Sequence, residues 1–97
     1  MRIIKLFKTV DEKFAEIGFT KVEEGESFVT YERNVKEYGY TQELHLQRKI
    51  SGRHLIQSYD PKLFDEKMIV NTGVGLTMYE VKLCVKKMRQ KGWKIQK

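Results

Sequence analysis

The stretch Leu76-Thr77-Met78-Tyr79-Glu80-Val81-Lys82-Leu83-Cys84-Val85-Lys86-Lys87-Met88-Arg89-Gln90-Lys91-Gly92-Trp93 constrains the chain more than any other. Thr77 followed three residues later by Glu80 is a capping box, in which hydroxyl and carboxylate each satisfy a backbone amide that the first turn leaves unpaired. A helix therefore starts at Thr77. Met78, Val81, Cys84, Val85 and Met88 recur at the i, i+3, i+4, i+7 spacing that gathers apolar side chains on one side of a helix. That stripe is expected to be buried, and Gly92 supplies a left-handed stop. A helix of this length with one apolar stripe needs a surface to cover.

Beside the apolar stripe runs a second one, Lys82, Lys86 and Arg89, which Trp93 extends. Residues 78–97 hold seven Lys/Arg against the single acid Glu80, and residues 1–77 hold twelve of each sign, so the net charge of +6 belongs to the C-terminal segment. Two readings follow. In one, the lysines complement the helix dipole and solvate the outer face, with the Trp93 ring folded onto the body. In the other, Lys82, Lys86, Arg89 and Trp93 form an edge for an anionic partner, either a nucleic-acid backbone or an acidic protein.

The rest of the chain supplies the surface to be covered. Thr9 and Glu12 repeat the cap signal, Val10, Phe14 and Ile17 share one helix face, and Gly18 ends a first helix over residues 10–17, with Phe19 packing back onto it. From Phe19 the period changes to two. Residues 19–23 and 27–33 read as a hairpin around the turn Glu24-Gly25-Glu26-Ser27. Residues 40–50 alternate, with Leu44, Leu46 and Ile50 on one face and Thr41, Glu43, His45, Gln47 and Lys49 on the other.

Ser51-Gly52 reads as a two-residue hairpin turn. It would pair Ile50 with Arg53, Arg48 with Leu55, Leu46 with Gln57 and Leu44 with Tyr59, which places Leu55 and Tyr59 beside Leu44 and Leu46. His45, His54 and Ile56 are then left on the opposite face. After the break at Asp60-Pro61, residues 62–67 form a polar connection with one helical turn, and Met68-Ile69-Val70 reads as a short strand. The expected fold is one α+β domain. A single antiparallel sheet of three to four strands carries the N-terminal and C-terminal helices on its apolar face.

Ninety-seven residues suffice for one core and no more. No apolar run approaches the roughly 18 residues of a membrane span, and residues 2–8 are too interrupted by lysines for a signal peptide, so the chain is expected in the cytoplasm. One cysteine excludes an internal disulfide and any multi-cysteine metal centre, and Cys84 on the apolar stripe reads as a buried, inert thiol. Gly73-Val74-Gly75 before a helix suggests an anion cradle, yet its spacing fits neither the dinucleotide fingerprint nor the phosphate-loop motif. Glu23, Glu24 and Glu26 read as a solvated hairpin tip. With no nucleophile elbow, no metal-binding histidine pair and no cofactor motif, the expectation is a binding protein and not an enzyme.

The order of helix, strands and helix resembles double-stranded RNA-binding domains. Those domains use basic residues at the start of the last helix, where this chain has Thr77-Met78-Tyr79-Glu80. A closer likeness rests on Glu12-Lys13-Phe14-Ala15-Glu16-Ile17-Gly18-Phe19, Phe28-Val29-Thr30-Tyr31-Glu32-Arg33, and the last helix from Leu76-Thr77-Met78-Tyr79-Glu80-Val81 to Lys91-Gly92-Trp93. These resemble the pattern of small proteins encoded by phages and prophages of Gram-positive bacteria. The resemblance implies the fold and supplies no functional residues. That group's last helix is more acidic, which makes the basic edge particular to this chain. An alternative function is a protein-interaction or self-associating module that uses the uncovered sheet face, with charge serving only solubility.

Overall fold

A computed structural model describes residues 8–62 and 73–96. In order, the elements are helix α1 (Val10–Glu16), strands β1 (Thr20–Glu24), β2 (Phe28–Val35), β3 (Tyr40–Gln47) and β4 (Leu55–Tyr59), and helix α2 (Met78–Gln90). The strands form one antiparallel sheet in the order β1-β2-β3-β4. This is the expected α+β architecture. Residues 2–7 and Met68-Ile69-Val70, with most of the polar connection, lie outside the described residues.

Both helices end in the same way. Gly18 (φ +94°) and Gly92 (φ +78°) take the left-handed conformation. The next amide reaches back five residues, from Phe19 to the Phe14 carbonyl and from Trp93 to the Met88 carbonyl, each at 3.0 Å. This is the Schellman geometry, which favours an apolar contact between the two bonded residues. Phe14 meets Phe19 edge-on at 5.8 Å, and Met88 and Trp93 belong to one core cluster. Each helix thus ends by driving an aromatic ring inward.

The core lies between the helices and one face of the sheet. It comprises Phe14 and Phe19, Val29 and Tyr31 of β2, Leu44 and Leu46 of β3, and Leu83, Cys84, Met88 and Trp93. Burying a side chain of this size contributes about 1.5–3 kcal/mol, which makes these residues the main source of stability.

Two expectations fail in register. The β3–β4 connection is not a two-residue turn but the seven-residue loop 48–54, and the pairs are Leu46 with Ile56 and Leu44 with Ser58. Relative to the expected pairing the strand has slipped by one residue, and in a sheet that exchanges the faces. Ile56 therefore packs against the core, whereas Leu55 is 40% exposed on the far side. The loop is held by its own bonds. Gly52 donates to the Lys49 carbonyl, the Lys49 amide donates to His54 Nδ1, and His54 Nε2 donates to the Lys94 carbonyl at 2.6 Å.

Helix α2 is rotated as well. Its buried residues are Glu80, Leu83, Cys84, Lys87 and Met88, while Val81 and Val85 are half-buried and Met78 is 74% exposed. The apolar stripe places the helix on the sheet. The buried centre, however, is shifted toward Leu83, and two charged residues turn inward with it.

Candidate binding surface

The inward turn of α2 sorts its charges. Thr77 accepts from the Glu80 amide at 3.1 Å and the Glu80 carboxylate accepts from the Thr77 amide at 2.8 Å, completing the predicted capping box. The second Glu80 oxygen accepts from Arg33 at 2.8 Å. Arg33 also donates to Gln42 and to the Ile17 carbonyl and lies over the Phe19 ring, while Gln42 donates to Ser58. Every polar atom of this buried set is engaged, since no buried side-chain nitrogen or oxygen among the described residues lacks a partner.

Two turns further on, Lys87 is held between Glu24 (2.8 Å) and Asp11 (3.1 Å). Tyr31 donates to Asp11 at 2.6 Å, and Lys21 pairs with both carboxylates. Partial burial works to raise the Asp11 pKa, but the hydrogen bonds from Tyr31, Lys21 and Lys87 outweigh it and hold the group at about 2. The Lys87 hydrogen bond lowers Glu24 against its own desolvation. Lys91 reaches Glu24 and the Gly25 carbonyl. The turn expected to be a solvated acidic tip is instead the place where three lysines are anchored.

Lys82, Lys86 and Arg89 are all exposed, and none makes an ion pair among the described residues. At 1.5 Å of rise per residue they span about 10 Å of the outer face of α2. Trp93 does not join them. It is 4% exposed and its Nε1 donates to the Glu26 carbonyl at 3.1 Å, because the Schellman end turns the ring inward. The expected edge is thus reduced to its three cations. The signal for Trp93 was present in Gly92-Trp93, which repeats Gly18-Phe19.

The other candidate chemistries resolve into structure. Burial, with the Glu80 charge behind it, pushes the Cys84 thiol up to about 12, which leaves it protonated and inert. In the Gly73-Val74-Gly75 stretch the Val74 amide donates to the Ser58 carbonyl and Gly73 bridges Tyr59. The Glu80 carboxylate takes the Thr77 amide that an anion would need. His45 and His54 do not share a face: His45 bonds Thr30 from β3, and His54 sits in the 48–54 loop. Among the described residues no three acids, histidines or cysteines stand close enough to hold a metal ion, and no helix is long and apolar enough to cross a membrane.

Two hollows remain. A cleft of about 510 Å³ lies between the end of the β2–β3 hairpin and the start of α2, with Arg33, Gln42 and Glu80 among its lining. Those polar groups are already engaged with one another. A smaller depression of about 340 Å³ lies on the face of the sheet turned away from the helices, where Glu23, Glu32 and Glu43 gather with His45 and Tyr59. Strand alternation places Glu43 on that face from sequence alone, but bringing Glu23 and Glu32 beside it required the β1–β2–β3 register.

No family model matches the chain, and neither a curated protein nor a solved structure matches it.

Proposed function

We propose that this chain is a small, non-enzymatic binding module that engages the phosphate backbone of a nucleic acid through Lys82, Lys86 and Arg89. The carrying observation is the partition of cations along α2. Lys87 and Lys91 are consumed by Asp11, Glu24 and Gly25, whereas three cations one turn apart face water without a carboxylate partner among the described residues. Long side chains on the solvent side of a rigid helix are suited to phosphate contacts, which are independent of sequence and need no pocket. Membership of the phage-encoded group, and a cytoplasmic location, belong to this same reading.

The reading predicts a modest salt-sensitive affinity. Three phosphate contacts give a log–log salt slope of about −2 to −3. Labelled single-stranded and duplex DNA and RNA should be titrated at two salt concentrations, with the Lys82→Ala/Lys86→Ala/Arg89→Ala variant alongside. Trp93 is left intact because its replacement would disturb the core. Binding that weakens steeply with salt and is lost in the variant supports the reading. Equal affinity in the variant refutes it, and absence of binding at low salt moves the search to an acidic protein.

A further inference from the structure

Among the described residues, the face of the sheet turned away from the helices carries strand carboxylates and no lysine or arginine of the strands. The four strands contain two cations, Lys21 and Arg33, and both point to the helix side, where they meet Asp11, Glu24 and Glu80. Of the strand carboxylates, Glu24 joins them there, whereas Glu23, Glu32 and Glu43 project from the other face. Glu32 stands directly opposite Glu43, an arrangement that costs stability between neighbouring strands. Among the described residues no cation offsets it, and Glu43 accepts only a neutral hydroxyl, from Tyr59 at 2.8 Å. Val22, 56% exposed at the β1 bulge, and Leu55 add apolar surface around this acidic centre.

The molecule thus has two faces of opposite charge, with the core between them. The dimensions also correspond. Strand spacing and rise put Glu23, Glu32 and Glu43 within a span of about 12 Å, close to the roughly 10 Å covered by Lys82, Lys86 and Arg89.

We infer that the open sheet face is a docking surface for a second copy of this chain, which lays the outer stripe of its α2 across Glu23, Glu32 and Glu43. The contact is head-to-tail: each copy offers its sheet to one neighbour and its helix to another, so the assembly lengthens with concentration instead of closing as a symmetric pair. It shares the cationic stripe with the proposed nucleic-acid contact, and the two occupants exclude one another. Exposed charge pairs make such an interface weak and strongly dependent on salt.

The test is a complementation of two neutralised variants, followed by analytical ultracentrifugation at low salt over a wide concentration range. The wild-type mass should rise with concentration and return to that of the monomer at high salt. The helix variant Lys82→Ala/Lys86→Ala/Arg89→Ala and the sheet variant Glu23→Gln/Glu32→Gln/Glu43→Gln should each associate at least about tenfold more weakly. Mixed, they should form a one-to-one pair and go no further, because one retains an intact helix and the other an intact sheet. Thermal melts verify that both variants are folded. A wild-type protein that stays monomeric at every concentration refutes the inference, as does association that survives sheet neutralisation, or a mixture that remains monomeric. Nucleic-acid titration separates the two readings: the sheet variant should keep DNA binding while losing self-association.

Discussion

Lys86 and Lys87 are adjacent in sequence, and about 100° of helix turn separates their situations. Lys86 is in water, and Lys87 is 4% exposed against Asp11 and Glu24. The inner side of α2 uses charge to fix its position on α1 and β1, through two carboxylates that Lys21 shares. The outer side has cations that no carboxylate among the described residues takes up. A lysine contributes to structure here when its helix position points it at a carboxylate, and not because of its residue type. The same division separates Trp93 from the stripe it extends in sequence.

The largest expected effect is at Trp93. Trp93→Ala should lower unfolding free energy by about 3–5 kcal/mol in urea denaturation, the cost of emptying a core site of this size. Trp93→Phe should cost less, because it keeps an aromatic ring in the site and loses the bond to the Glu26 carbonyl and only part of the buried volume. If Trp93→Ala leaves stability unchanged, the ring is not in the core and belongs again to the outer edge.

Lys87 and Lys86 come next, as a direct test of the two sides. Lys87→Ala should cost about 2–3 kcal/mol, somewhat less than for a wholly buried pair because Asp11 and Glu24 keep about a third of their side-chain surface in water. Lys86→Ala should fall within about 0.5 kcal/mol of wild type, as for an ordinary surface change. Equal effects of the two substitutions would remove the distinction between the inner and outer sides.

The anchored carboxylates also set an acid response. Asp11 lies at about 2 in the folded chain against an ordinary 3.8, and Glu24 lies below its ordinary 4.5. A carboxylate with a depressed folded pKa adds stability above its unfolded pKa and loses it as pH falls through the folded value. The loss should therefore run from about pH 4.5 down to about pH 2. Asp11→Asn should flatten that part of the urea stability profile while lowering the plateau at neutral pH. A profile of unchanged steepness would mean that Asp11 does not carry the ion cluster.

The legible parts of this fold were those carried by local chemistry. Thr77 and Glu80 mark a helix start wherever they stand, and Gly18 and Gly92 mark the stops, since only short-range sterics and amide satisfaction are involved. Strand alternation likewise placed Leu44 and Leu46 in the core. What could not be read was register. Ser51-Gly52 has the composition of a tight turn, but the 48–54 loop is closed by His54 against Lys94, residues forty positions apart. No local pattern encodes that bond. Ile56, stranded on the wrong face by the short turn, was the sign that the register had slipped. On α2, treating Glu80 and Lys87 as surface residues hid the buried side, because a paired charge in a core has no hydrophobic signature. Leu83, outside the apolar stripe, pointed to the true rotation.

The smallest expected effect contrasts the two faces of the sheet. On the helix side each strand carboxylate or cation has an opposite partner, whereas Glu32 faces Glu43 across β2 and β3. Glu32→Gln removes one of two like charges without changing the side chain's size, so the isolated monomer should gain about 0.2–1 kcal/mol. The measurement belongs at high salt and low concentration, where no second copy is bound, and should be repeated at low salt, where repulsion is less screened and the gain larger. A loss of stability instead would mean that the Glu32 carboxylate already has a partner within the chain. The acidic face would then be structural, as the inner side of α2 is, and Glu32 would no longer be available to a second copy.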